Sequence, residues 1–196
     1  MIAGIVLAAG ASRRFGSQKL LAPVGGVPLA RRTVEALLTT MLDEVVVVLG
    51  ADAPAVGASL TGLPIRTVTN PDYAAGMSTS LRVGLHAIPA HADAALVALA
   101  DQPGVGAEIV DPLLQRYRSS RALIVAPLYR GGIRGNPVLF DRSLFAELRV
   151  VTGDEGGRSV IARDPGRVVP VELDVEMPAD VDVPGDIHDC GLRTAD

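Results

Sequence analysis

Apolar residues along this chain follow two rhythms. Short runs rich in Val, Ile, Leu and Ala read as buried strands at Ile5–Ala9, Glu44–Gly50, Ile65–Thr69, Ala94–Ala100, Ala122–Pro127, Val138–Phe140 and Val168–Val171. Between them lie helix-like stretches at Pro28–Thr40, Ala53–Leu60, Ser78–Ile88, Ala107–Ser119, Arg142–Leu148 and Gly157–Arg163. In the third of these stretches Leu81, Leu85 and Ile88 share one face at i, i+4 and i+7, and Pro28 suits a first helical turn. Alternation of this kind predicts an α/β fold, a mostly parallel central sheet covered by helices on both faces. No repeat, low-complexity tract or long linker divides the chain, so we expect one domain over 1–196, with a core over 3–186 and a tail over 187–196. In such sheets ligands gather beyond the carboxyl ends of the strands. The loops Gly10–Lys19, Asn70–Ser80 and Asp101–Gly104 should therefore converge.

Composition narrows the partners. A chain of 196 residues that is 48% apolar can bury a continuous core. Its 18 Lys and Arg are outnumbered by 22 Asp and Glu, giving a net charge of −4, and it has no Trp, which argues against nucleic-acid binding. Cys190 stands alone, so no intramolecular disulfide is expected and the reducing cytoplasm is the default location. The first apolar run meets Arg13 and Arg14 too soon to span a bilayer and lacks a basic leader, so no membrane association is expected.

The candidate chemistry begins where the first strand empties into a loop bounded by Gly10 and Gly16 and carrying Arg13, Arg14 and Lys19. Glycines let backbone amides approach an anion, while a guanidinium and an ammonium supply charge to phosphate oxygens. The dinucleotide fingerprint is excluded by Ser12, and the P-loop pattern by the five residues between the glycines and by Ser17 after Gly16. An ordinary strand-to-helix turn with solvated cations is the alternative. Asp101, at the end of its strand, suits a divalent cation, or else caps the next helix, which Pro103 and Gly104 delay. Asn70, Gly76, Ser78 and Ser80 precede or open a helix and can offer polar groups to a base or a phosphate, although capping by Ser78 explains them nearly as well. The acidic run Asp180–Asp186 reads equally as a solvated tail. His86, His91 and His188 lack partners at metal-ligand spacing, and no Gly-x-Ser-x-Gly elbow is present.

Taken together, Leu7-Ala8-Ala9-Gly10-Ala11-Ser12-Arg13-Arg14-Phe15-Gly16-Ser17-Gln18-Lys19, followed by Gly26-Val27-Pro28-Leu29, closely resembles the signature of nucleotidyltransferases that handle the molybdenum cofactor. The nearest branch is the molybdenum cofactor cytidylyltransferases, since the guanylyltransferases usually carry two glycines after Leu-Ala and this chain has Ala9. The resemblance implies a Rossmann-like three-layer α/β/α fold and transfer of CMP from CTP to the phosphate of molybdopterin, with release of pyrophosphate. It implies Mg²⁺ or Mn²⁺ held by Asp101, within the family's Asp-Gln-Pro triplet, and by Asp182, within a run matching Asp-x-Asp-Thr-Pro-x-Asp except for Val183. It implies Arg14, Lys19 and Asp101 as catalytic groups and Leu7, Ala8, Ala9, Gly10, Ser12, Arg13, Arg14, Gly16, Lys19, Asn70, Gly76, Ser78 and Ser80 as nucleotide contacts. Asn136, Asp154 and Arg158 fall in segments resembling those near the acceptor, where Gly157 replaces a frequent Ala. A molybdenum hydroxylase or its chaperone is the implied recipient. The alternatives are a guanylyl- or sugar-phosphate nucleotidyltransferase with the same loop, and a non-catalytic protein that grips a nucleotide or cofactor on behalf of a molybdenum enzyme.

Overall fold

The computed structural model describes residues 1–12 and 14–188. Arg13 and Cys190 lie outside the described residues. In chain order the elements are β1 (Ile2–Ala8), β2 (Pro23–Val24), β3 (Val27–Pro28), α1 (Leu29–Leu38), β4 (Glu44–Leu49), α2 (Ala53–Ser59), β5 (Arg66–Thr69), α3 (Met77–Ala87) and β6 (Ala94–Leu99). They continue with α4 (Ala107–Ser120), β7 (Ile124–Tyr129), β8 (Ile133–Arg134), β9 (Val138–Asp141), α5 (Phe145–Arg149), α6 (Arg158–Arg163) and β10 (Val168–Glu172).

The main sheet runs in the order β10-β7-β9-β6-β1-β4-β5, with β8 beside β7. Strands β6, β1, β4 and β5 are mutually parallel, as are β10 and β7, whereas β9 is antiparallel to both of its neighbours. The central strands are continuously apolar because both faces are covered. Val6, Val45, Val47 and Leu96 face α1, α2 and α4, while Ala3, Ile5, Val46 and Val48 face α3, α5 and α6. The result is the three-layer arrangement expected of the pattern. Along α3, Leu81 and Leu85 are buried against β1 and β4, and Ile88 is buried just beyond the helix end.

Three local features depart from the pattern. Val27 and Pro28 pair with Pro23 and Val24 in a small ribbon, so α1 starts one residue after the expected Pro28. The stretch Arg142–Leu148 divides into a 3₁₀ turn and α5, because the Asp141 carboxylate accepts the Ser143 N–H at 2.9 Å and tightens the first turn. Reversal of β9 puts its beginning at the edge where the parallel strands end, which brings Asn136 to the functional edge of the sheet. Among the described residues no helix is long and apolar enough to cross a membrane.

Candidate active site

The loop that follows β1 is fastened by its own side chains. Ser12 takes a left-handed backbone (φ 51°) and its Oγ accepts the Lys19 N–H at 3.2 Å. Gly16, at φ 82°, occupies a backbone region open to it at no steric cost. Gly10 has ordinary dihedrals, but a Cβ there would meet no protein atom within 4 Å. Its missing side chain keeps space clear in the cleft.

Lys19 is the electrostatic centre. Its Nζ donates to Asp101 Oδ2 at 2.7 Å and to Asp182 Oδ1 at 3.0 Å, and its side chain is 12% exposed. Burial disfavours the ammonium, but the Asp101 and then the Asp182 carboxylate outweigh that cost and hold its pKa above the ordinary value. Arg14 Nη2 lies 3.0 Å from the other oxygen of Asp182, with a side chain largely in solvent. The pair therefore presents one shielded and one open cation.

Both carboxylates are placed by backbone. Ala100 N–H extends the β1–β6 ladder to Leu7 O, and Thr33 Oγ1 lies 2.9 Å from Ala100 O, fixing the strand end that carries Asp101. Val181 N–H donates to Asp101 O at 3.0 Å, and the Val181 side chain is fully buried in the main core. The acidic run is thus anchored by an apolar residue rather than trailing as a solvated tail. Asp186 Oδ2 accepts the N–H groups of Asp182 and Val183 at 2.7 and 2.8 Å, which closes the turn and lowers the Asp186 pKa. Asp180, between Ala179 and Val181, is pushed up by burial and by the neighbouring Asp101 charge.

A cleft of about 400 Å³ opens over these groups. Of the sequence-predicted residues, Leu7, Ala9, Gly10, Ser12, Arg14, Lys19, Gly76, Ser80, Asp101, Asp154 and Asp182 line it. Tyr73, Ala74, Met77 and Leu99 also line it without having been singled out. Tyr73, Ala74 and Met77 sit inside the Asn70–Ser80 loop, whose motif signal lies in its polar residues and glycine; apolar walls carry none. A second cavity of about 50 Å³ shares Leu7, Met77 and Leu99 with the cleft and is lined by Asn136 and Arg158.

Other predicted residues do framework work instead. Ala8 is buried in the core facing α1. Asn70 is 1% exposed; its Nδ2 donates to Thr79 Oγ1 and Ser80 Oγ at 2.8 and 2.9 Å, and its Oδ1 accepts from Asp72 N, pinning the end of β5 to the start of α3. Ser78 is buried, makes no cap with its side chain, and gives its N–H to Gly153 O at 3.0 Å. Gly16 stands outside the cleft lining. Asp154 Oδ1 accepts the Met77 N–H at 3.1 Å, so this carboxylate caps α3 across the cleft rim. Gly76, at φ 111°, lets that crossing occur, since a Cβ would lie 2.6 Å from Gly153 O.

The donor set suits a hard divalent cation. Asp101 and Asp182 converge on a single point now taken by the Lys19 ammonium, and two carboxylates completed by phosphate and water oxygens match the habits of Mg²⁺ and Mn²⁺. Among the described residues no three or more His, Cys, Asp or Glu side chains form a self-sufficient metal cage. Two carboxylates leave most of a bound cation's coordination to oxygens from outside the protein.

Residues 4–168 match the family described as the MobA-like NTP transferase domain. The chain is a member of that family. It is 39% identical over 171 residues to nicotine blue oxidoreductase of Paenarthrobacter nicotinovorans, spanning 84% of this chain and 83% of that protein. It is 34% identical over 113 residues to molybdenum cofactor guanylyltransferase of Rhodobacter capsulatus, spanning 57% of each. Among solved structures, the Mycobacterium sp. strain JC1 homologue of Mycobacterium tuberculosis Rv0371c superposes with a TM-score of 0.84 at 32% identity, covering 96% of this chain and 93% of that one. Rv0371c itself, in complex with manganese, gives a TM-score of 0.81 at 28% identity, covering 98% and 99%. The expected three-layer nucleotidyltransferase fold is therefore established.

Proposed function

We propose that this MobA-like family member transfers CMP from CTP to the terminal phosphate of a molybdopterin-type acceptor. A phosphate oxygen of the acceptor attacks the α-phosphorus, the bond to the bridging oxygen breaks, and pyrophosphate leaves. The nucleophile is already ionised, so no general base is required. The observation that carries this reading is the Lys19 ammonium held between Asp101 and Asp182 below the open space at Gly10.

In this scheme Leu7, Ala9, Gly10, Ser12, Gly76 and Ser80 shape the nucleotide cleft, with the triphosphate along the Gly10–Lys19 loop. Lys19 and Arg14 face the charge that builds on the phosphates, and preorganised charges of this kind supply most of the rate in such reactions. Asp101 and Asp182 would hold Mg²⁺ or Mn²⁺, which when bound offsets phosphate charge. Asn136 and Arg158 bound the acceptor side, and Asp154 sets the position of α3 between the two cavities. Ala9, where the guanylyltransferases usually carry glycine, supports the cytidylyl branch. The loaded cofactor then passes to a molybdenum hydroxylase or its chaperone.

Two observations favour rival readings. Relatives with a named transferase activity include guanylyltransferases, and the 39% identical relative is named an oxidoreductase. The test is pyrophosphate release with Mg²⁺, each of the four NTPs, and molybdopterin or molybdenum cofactor as acceptor. Release with CTP alone is expected. Release with GTP instead overturns the base assignment, and silence with every NTP combined with turnover of a reducible dye would move the chain to the oxidoreductase.

A further inference from the structure

Gln18 stands between Gly16 and Lys19 but belongs to neither the glycines nor the charges used above. Its amide is fully engaged. Nε2 donates to Gly10 O at 3.3 Å and to Ala51 O at 3.2 Å, while Oε1 accepts from Ser12 Oγ at 2.8 Å and from Leu20 N–H at 3.3 Å. These bonds join the loop after β1, the loop after β4 and the short 3₁₀ turn Lys19–Leu21, which Gln18 caps. Ser12, held in its left-handed conformation, completes the circuit by accepting the Lys19 N–H. A side chain that spends both donors and both acceptor directions on backbone and on one hydroxyl is a brace.

We infer that Gln18 is a positioning residue for the triphosphate: it keeps the Gly10 loop spread and turns Lys19 into the cleft before the nucleotide arrives. The inference rests on the nucleotidyl-transfer reading for the identity of the ligand, but its geometry does not. Without the brace, the nucleotide must order the loop as it binds, so affinity falls while the reacting groups remain present. Gln18→Met keeps the length and removes every hydrogen bond; Gln18→Glu keeps the acceptors but sets a carboxylate against Gly10 O and Ala51 O. Both remove a brace while leaving Arg14, Lys19, Asp101 and Asp182 untouched.

The experiment pairs steady-state kinetics with amide hydrogen exchange over residues 9–21. Gln18→Met should raise the KM for CTP about tenfold with a smaller fall in kcat, and loop amides should exchange faster without a matching drop in Tm. Ser12→Ala should repeat the pattern, and the double variant should be little worse than either single one, because both cut the same link. An unchanged KM with unchanged loop exchange overturns the inference, as does a fall in kcat and Tm alone, which marks a purely structural glutamine. If the wild-type protein releases no pyrophosphate with any NTP, the transfer reading fails and exchange decides the brace by itself: faster loop exchange in Gln18→Met upholds it, unchanged exchange removes it.

Discussion

Each edge of the sheet carries a polar cluster that ties distant parts of the chain together. At the amino edge, Tyr117 Oη lies 2.7 Å from Asp141 Oδ2 and 2.9 Å from Asp93 O, and the Asp141 carboxylate also takes the Ser143 hydroxyl at 2.6 Å. At the carboxyl edge, Lys19 links Asp101 and Asp182, with Arg14 on the far side of Asp182. Both clusters satisfy their charges, but only the second opens onto a cleft of about 400 Å³, where the proposed phosphates would meet its cations. A closed network stabilises a fold; the same chemistry beside open space makes a site.

The largest expected effects separate the two edges by function. Asp101→Asn and Lys19→Ala should each cost on the order of 10²–10³ in kcat, the scale of one lost preorganised charge contact, with circular dichroism unchanged. Tyr117→Phe should leave kcat within about twofold of wild type, because no atom of that cluster lines the cleft. A comparable loss in Tyr117→Phe would erase the distinction. Next in size, Gly10→Val should weaken nucleotide binding by roughly tenfold or more, measured by titration calorimetry, because a side chain there enters open cleft. Thermal stability should hardly move. Gly157→Ala makes the opposite case, since its Cβ would come 2.6 Å from the Phe140 ring and should cost about 1–3 kcal/mol of stability.

The sequence made the first edge of this comparison hard to see and the second easy. Gly10, Gly16, Arg14 and Lys19 lie within ten residues, so one loop exposes its chemistry to inspection, and Asp101 follows from a strand that ends where ligands collect. Strands such as β4 were legible because burial on both faces leaves an unbroken apolar run. What escaped depends on contacts between segments far apart in sequence. Val181 turns an acidic tail into a strap only because the core has room for its side chain. Asn70 is polar and follows a strand, which reads as a ligand, yet its amide is consumed holding Thr79 and Ser80. Gln18 looks like any polar loop residue until Ala51, from another loop, is beside it. The reversal of β9 left no trace in periodicity, since direction does not alter which residues are apolar.

The smallest effect is the most diagnostic of a closed cluster. Burial, reinforced by the Asp141 carboxylate that receives its hydroxyl, pushes the Tyr117 pKa from 10.0 up to about 12. The folded state therefore keeps a proton that the unfolded chain releases first. That stabilisation is complete below about pH 10 and is lost as pH rises from 10 toward 12, where the unfolded state binds fewer protons. Tyr117→Phe removes the hydroxyl, takes the Tyr117 donor from Asp141 Oδ2 while Asp93 O keeps the Arg142 N–H at 2.8 Å, and should cost about 1–2 kcal/mol at neutral pH. Above pH 10 the penalty should shrink, because phenylalanine has nothing to ionise. Urea unfolding of both proteins at pH 7, 10 and 11 measures this directly, with the two stability curves drawing together as pH rises. A gap that stays constant or widens would mean that the Tyr117 hydroxyl ionises alike in the folded and unfolded chains, and that the amino edge is not the closed network its geometry describes.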